Sequence, residues 1–276
     1  MGALETASPD SYLRGGFMTL NFSINARRIA VILAVIALYL AVQSIAGRYV
    51  EEHSAEQSIN VITNLVLVLN INRESSIPTW YSSSLLLTCA GVLAVIALGK
   101  RASGGPFVRH WAGLAVIFLY LSIDEAAAIH EKFTIPLEAT FDTGGYLTFA
   151  WVIVGAPLAL LFALAYLKFL FHLPPFIRNR VALAGVLYVG GALVIESISA
   201  NQWYWGGGTS LLYSAIGTVE ELFEMWGTIL FLYALLSFVQ QIEFTLNFQP
   251  QTATAPGADG QNTLPAPTVA STRMGQ

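Results

Sequence analysis

Apolar residues are gathered along this chain into six long runs, at 29–47, 81–99, 111–130, 147–171, 181–200 and 214–239, separated by shorter polar stretches. None of the runs alternates, and all are far longer than the roughly ten residues of a membrane barrel strand. At ~1.5 Å of rise per residue, about 20 residues cross a hydrocarbon layer ~30 Å thick. A backbone in lipid must satisfy its own polar groups, so helices are the spanning structure that remains. The pattern predicts an all-α polytopic membrane protein, a bundle of six transmembrane helices occupying 29–243, with polar ends at 1–28 and 244–276.

Polar punctuation refines that picture. The ends are rich in Ala, Pro, Thr and Gly without periodicity, which predicts disorder. Between the first two runs, "INVITNLVLVLNI" is apolar but too short to cross, and is expected to lie at the interface or to re-enter. Ile77–Pro78 breaks any preceding helix, and Trp80 and Tyr81 read as interfacial residues at the start of the second span. Trp203, Tyr204 and Trp205 read the same way, and Gly206, Gly207 and Gly208 as a hinge. "QSIAG" at 43–47 has the small residues of a signal cleavage site, but the run before it is longer than a signal core, so it is read as a retained helix.

Composition agrees with a membrane chain: 55% hydrophobic and 11% charged residues, against roughly 25% charged in soluble domains, with mean hydropathy +0.62. A formal charge of −4 excludes nothing by itself, but it does not suggest a nucleic-acid partner. Cys89, the one cysteine, cannot form an intrachain disulfide.

The distribution of charge carries more. Ten of the thirteen Lys and Arg fall at one end of the alternating spans, and Arg48, Arg73 and Lys132 at the other. By the positive-inside rule both termini are cytoplasmic, and the expected location is a bacterial inner membrane. Thirteen of the seventeen acids then fall on or near the outer side. Counted along the helical rise, Asp124, Glu196 and Glu224 reach nearly one depth, within about 4 Å. Asp124 and Glu131, seven apart, would share a helix face, and the run Ala126 to Ala128 would let a neighbouring helix approach.

Carboxyls at such depth are costly and usually face a bundle interior or a wet cavity. Asp124, Glu125, His130, Glu131, Glu196, Glu220 and Glu224 are therefore candidate ligands for a divalent metal (Fe, Mn, Zn or Ca), since several carboxylates with an imidazole suit such an ion. Glu125, His130 and Glu221 are the candidate catalytic groups. The Glu-x-x-His spacing of di-iron bundles is absent, and a single histidine disfavours three-histidine zinc sites. Arg73 and Glu74 could reach the same pocket. No nucleophile elbow, zinc-protease helix motif or dinucleotide fingerprint is present.

Together, "NRESSIPTWYSS", "LSIDEAAAIHE" and "TVEELFEMWG" resemble the IPTW, DE-x4-HE and EE-x2-E motifs of a family of uncharacterised bacterial multi-pass membrane proteins, over about 70–232. The resemblance implies importance for Asp124, Glu125, His130, Glu131, Glu220, Glu221 and Glu224, and implies no reaction. Three functions stay open: a metal-dependent enzyme acting on lipid or a small amphiphile, a proton- or cation-coupled transporter, and a non-catalytic subunit of a larger membrane complex. The lipid bilayer is the expected partner, with a membrane-protein partner possible under the last reading. Against a transporter stand the lack of an internal repeat and of acids deep in the cytoplasmic half.

Overall fold

The computed structural model describes residues 25–53, 66–208 and 210–241. Its long helices are α1 (Ala26–His53), α2 (Ile77–Ala102), α3 (Val108–Ala127), the short α4 (Thr134–Phe141), α5 (Val152–His172), α6 (Pro175–Val189), α7 (Glu196–Gly206) and α8 (Leu211–Gln241). A π-helical segment, Gly190–Ile195, joins α6 to α7. No strand occurs among the described residues. The expected disorder at 1–28 and 244–276 lies mostly outside them, but α1 already begins at Ala26, where Asn25 accepts a hydrogen bond from the Arg28 amide at 3.0 Å.

Five helical stretches are long and apolar enough to cross a membrane: 26–50, 77–102, 152–172, 175–206 and 211–241. The expected third span differs. α3 reaches the same standard only together with Glu131–Phe141, which leaves it at 69°. Arg109 at one end and Asp124 and Glu125 at the other dilute its apolar character. Chain termination is local as well: Ala128 adopts a left-handed backbone (φ 46°), and Lys132 caps the helix by donating to the carbonyl oxygens of Ala127 and, at 3.1 Å, Ala128. Glu131 is therefore off the helix, and the expectation that it shares a face with Asp124 fails.

Pro78 starts a helix rather than merely ending one. Ser76 accepts from the Thr79 amide at 3.2 Å, and the proline lies in the first turn, where its missing N–H costs nothing. Trp80 is exposed, as a belt residue should be, while the Tyr81 hydroxyl donates to Leu33 O of α1 at 2.7 Å.

Two kinds of contact hold the bundle. At the end carrying Lys100, Arg109 and Arg178, an apolar core joins Leu93, Ile96, Trp111, Phe169, Ile177 and Leu235, with Trp111 stacked on Phe238 and Phe118 on Phe231. Cys89 is buried in this core, its thiol 3.8 Å from Thr228 O. Toward the other end small and polar residues take over. Ser83 and Ser122 each donate to the other's carbonyl at 2.8 Å, binding α2 to α3. Gly227 of α8 lies against the backbone of α6, where an added Cβ would sit 2.7 Å from Tyr188 N and 2.9 Å from Ala184 O. The small run Ala126 to Ala128 does not act this way: Ala126 and Ala127 are exposed and only Ala128 is buried. Close approach of α3 is made by the serines instead.

Candidate functional site

The last turn of α3 ends in Asp124 and Glu125, and the tight turn after it folds His130 back over the helix end. Asp124 Oδ1 accepts from the His130 amide at 2.9 Å, and Oδ2 lies 2.7 Å from His130 Nδ1. Both carboxylate oxygens are thus engaged with one residue. This fixes the ring and leaves Nε2 as the free imidazole nitrogen. The ring packs on Trp151 with centroids 4.7 Å apart, and Trp151 Nε1 donates to Glu196 Oε1 at 2.7 Å.

Glu196 comes into place through the π-helical segment. The wider winding at Gly190–Ile195 shifts the register of the helix just before the carboxyl it presents. Gly191 within that segment lets α8 come close: an added Cβ would be 2.9 Å from Glu224 Cγ and 3.0 Å from Glu220 O. One glycine therefore seats the two acid-bearing stretches against each other.

On α8, Glu220, Glu221 and Glu224 complete the cluster. Glu224 is within electrostatic reach of Glu221, Glu125, Glu220 and Glu196, and Glu221 within reach of Glu125, Glu196 and Glu131. Glu220 feels Glu196, Glu221, Glu131 and Glu125. Ser82 of α2 hydrogen-bonds Glu125. Glu131 lies within side-chain reach of Glu74, where a proton shared by the two carboxyls would relieve their repulsion. Thus Asp124, Glu125, His130, Glu131, Glu196, Glu220, Glu221 and Glu224 come together, and Glu74 joins them. Arg73 makes no contact with the cluster that would place it there; its carbonyl instead accepts from Thr79 Oγ1 at 3.0 Å.

Asp124 and Glu196 are buried, and Glu125, Glu220, Glu221 and Glu224 are half-buried. Asn72 closes one side: its amide donates to Ser214 O at 3.0 Å and to Thr218 Oγ1 at 3.4 Å. Tyr188 and Tyr213 stand among the acids, Tyr213 hydrogen-bonded to Ser199. Sequence reasoning missed Ser82, Trp151, Tyr188 and Tyr213. Tyr188 and Trp151 carried no signal, because aromatic residues inside apolar runs are ordinary, and Tyr213 lies in the short polar stretch just before the last run.

The metal expectation fares differently. Among the described residues, no three His, Cys, Asp or Glu side chains are arranged to hold a metal ion. Asp124 gives both oxygens to His130 and Glu196 gives one to Trp151, so two of the expected ligands are committed to side chains.

An all-helical chain with five to six apolar spans, and a crevice of carboxyls around one clamped imidazole, is a multi-pass membrane protein with a buried acidic site. The chain belongs to the family described as a domain of unknown function (DUF8692), matched over residues 28–239. No curated protein and no solved structure matches it.

Proposed function

We propose that this protein is a membrane-embedded enzyme that performs acid/base chemistry on a lipid or small amphiphile at the outer leaflet of the bacterial inner membrane, with both termini cytoplasmic. The observation that carries the reading is the Asp124–His130 pair, 2.7 Å apart, with the remaining ring nitrogen left to a crevice of carboxyls. An imidazole whose Nδ1 proton is held by a carboxylate accepts a proton at Nε2 and is stabilised when it does. Glu125 and Glu221 are the acid/base partners. Eight carboxyls gathered with one imidazole in low-dielectric surroundings would not all stay ionised, so some would carry protons and could act as acids.

An amphiphilic substrate is proposed because the site belongs to a bundle whose outer surface is apolar; the segment just after α3 exposes Phe133, Ile135 and Phe141. A metal has donors of suitable chemistry here but no arranged ligand set, and no step is assigned to one.

The test uses the full chain in nanodiscs of total lipid extract from the expressing cells, followed by mass spectrometry of the lipid and small-molecule fraction. Wild type should consume at least one species and release another, and H130N and E125Q should not. Unchanged composition with wild type would overturn the proposal. A proton- or cation-coupled transporter is the second reading, favoured by the excess of carboxyls over basic groups, and disfavoured by the apolar core that closes the opposite half of the bundle. Carboxyl-dependent proton uptake by sealed proteoliposomes, without chemical change, would select it.

A further inference from the structure

The basic end of the bundle has its own crevice. Between α1, α6 and α8 lies a cavity of about 520 Å³ lined by Arg27, Phe176, Tyr233, Ser237 and Gln240. Arg27 and Tyr233 also border a second cavity of about 430 Å³, a groove otherwise walled by apolar side chains such as Ala34, Leu187, Ile229 and Leu230. Both volumes fall in the range of ~300–1,000 Å³ typical of small-molecule sites. A polar chamber at the end of the helices and an apolar groove along them, adjoining at Arg27 and Tyr233, suit a head group with a chain attached.

Charge selects the head group. Arg27 borders both cavities, and Arg180 lies against the chamber wall, its guanidinium 3.2 Å from the Phe176 ring centroid and 5.2 Å from that of Tyr233. Among the described residues Arg180 donates one hydrogen bond, from Nη1 to Phe176 O at 2.9 Å, and a guanidinium has further donors suited to a phosphate. Asn25 and Ala26 at the start of α1 line the chamber too, and the helix dipole adds positive potential there. Ser237 supplies a neutral polar group. The described acids of the site sit on the far halves of α3 and α8 and around Glu196, so none competes here.

We propose that this crevice is a binding site for an anionic phospholipid, with its phosphate between Arg27 and Arg180 and an acyl chain along Ala34, Leu187 and Ile229. It does not depend on the reaction proposed for the acidic site.

The test is native mass spectrometry of the detergent-purified full chain titrated with dioleoylphosphatidylglycerol, dioleoylphosphatidylcholine or inorganic phosphate. Saturable binding of the glycerol lipid in preference to the choline lipid is expected. R27Q and R180Q should each weaken it about fivefold, the worth of one basic residue at an anionic lipid surface, while R27K and R180K should keep most of it. A34F, which fills the groove, should weaken both lipids. Near-ultraviolet circular dichroism checks that each variant is folded, and where a Gln variant is not, the Lys and Phe variants decide. Equal affinity for the two lipids, indifference to the arginine changes in folded protein, absence of saturable binding, or displacement of the lipid by millimolar phosphate would each overturn the assignment.

Discussion

Three glycines allow the packing around the acidic site to be tested in one graded series. At Gly227 a new Cβ would meet Tyr188 N at 2.7 Å, Ala184 O at 2.9 Å and Tyr188 Cβ at 3.0 Å. Two of these are backbone atoms, so α6 and α8 must separate by several tenths of an ångström. Overpacking of this kind costs about 1–3 kcal/mol, and G227A belongs near the top of that range. The Gly→Ala gain in helix propensity, about 1 kcal/mol, offsets part, leaving a net loss of about 2 kcal/mol. At Gly191 the contacts are Glu224 Cγ at 2.9 Å, Glu220 O at 3.0 Å and Phe223 Cβ at 3.3 Å. One neighbour is a flexible side chain, so G191A should lose about 1 kcal/mol less than G227A, while displacing the two glutamates. At Gly185 nothing lies within 4 Å, and G185A should gain about 0.4–1 kcal/mol. Between the extremes the folding equilibrium should change by roughly two decades, at 1.4 kcal/mol per decade. Unfolding in mixed micelles of increasing sodium dodecyl sulfate, followed by tryptophan fluorescence, measures the series. If G227A proves as stable as G185A, α6 and α8 do not meet at Gly227, and the placement of Glu196 beside Glu224 loses its support.

Other substitutions probe single bonds. W151F should destabilise the protein by about 1–3 kcal/mol by stripping the buried Glu196 oxygen of its donor, and W151F combined with E196Q should recover part of that loss in the same unfolding assay. D124N should lower any turnover at least as strongly as it lowers stability, because the ring of His130 loses the carboxylate that orients it; a variant with full turnover would remove His130 from the proposed base role. E131Q should remove the repulsion between Glu131 and Glu74 that arises once both are ionised, because its amide is neutral and can donate to the Glu74 carboxylate. Wild type should therefore lose stability relative to E131Q as alkali ionises both carboxyls, and parallel melting curves from acid to alkaline pH would contradict the pairing.

Much of the layout was readable because lipid imposes a strong rule on sequence. Apolar runs of 19 or more residues leave few alternatives, and five of the six recur as helices able to cross. Depth was readable for the same reason: constant helical rise put Asp124, Glu196 and Glu224 at one level, and the structure brings their neighbourhoods together. The count tolerated the π-helical segment, since one widened turn shifts depth by little. What that segment changes is azimuth, and "GGALVI" offers no signal of wider winding that would distinguish it from an ordinary apolar turn.

Pair identities were less accessible. The seven-residue spacing of Asp124 and Glu131 implied one helix face only as long as the helix continued, and it stops at Ala127 although no Gly or Pro marks the place. An alanine in the left-handed region is disfavoured on its own, so the stop is enforced by tertiary partners: Lys132 on the free carbonyls and His130 on Asp124. Ending the helix there turns Asp124 from one more acid on a helical face into the carboxylate that holds the His130 ring, the contact on which the proposed acid/base role rests.

A physical division of labour follows from where each kind of residue lies. The half of the bundle around Trp111, Phe169 and Phe238 is packed by interlocking rings, which suits a rigid base. The half around Glu125 and Glu224 is packed through serines, glycines and hydrogen bonds to single carboxyl oxygens, where like charges oppose contact. Protonation relieves that opposition, so the protons that the proposed acid/base reaction would move would also bear on the packing of the acidic half. Binding a substrate that takes up or releases a proton must then alter the packing of α3, α7 and α8 at their acidic ends, while the aromatic half stays fixed.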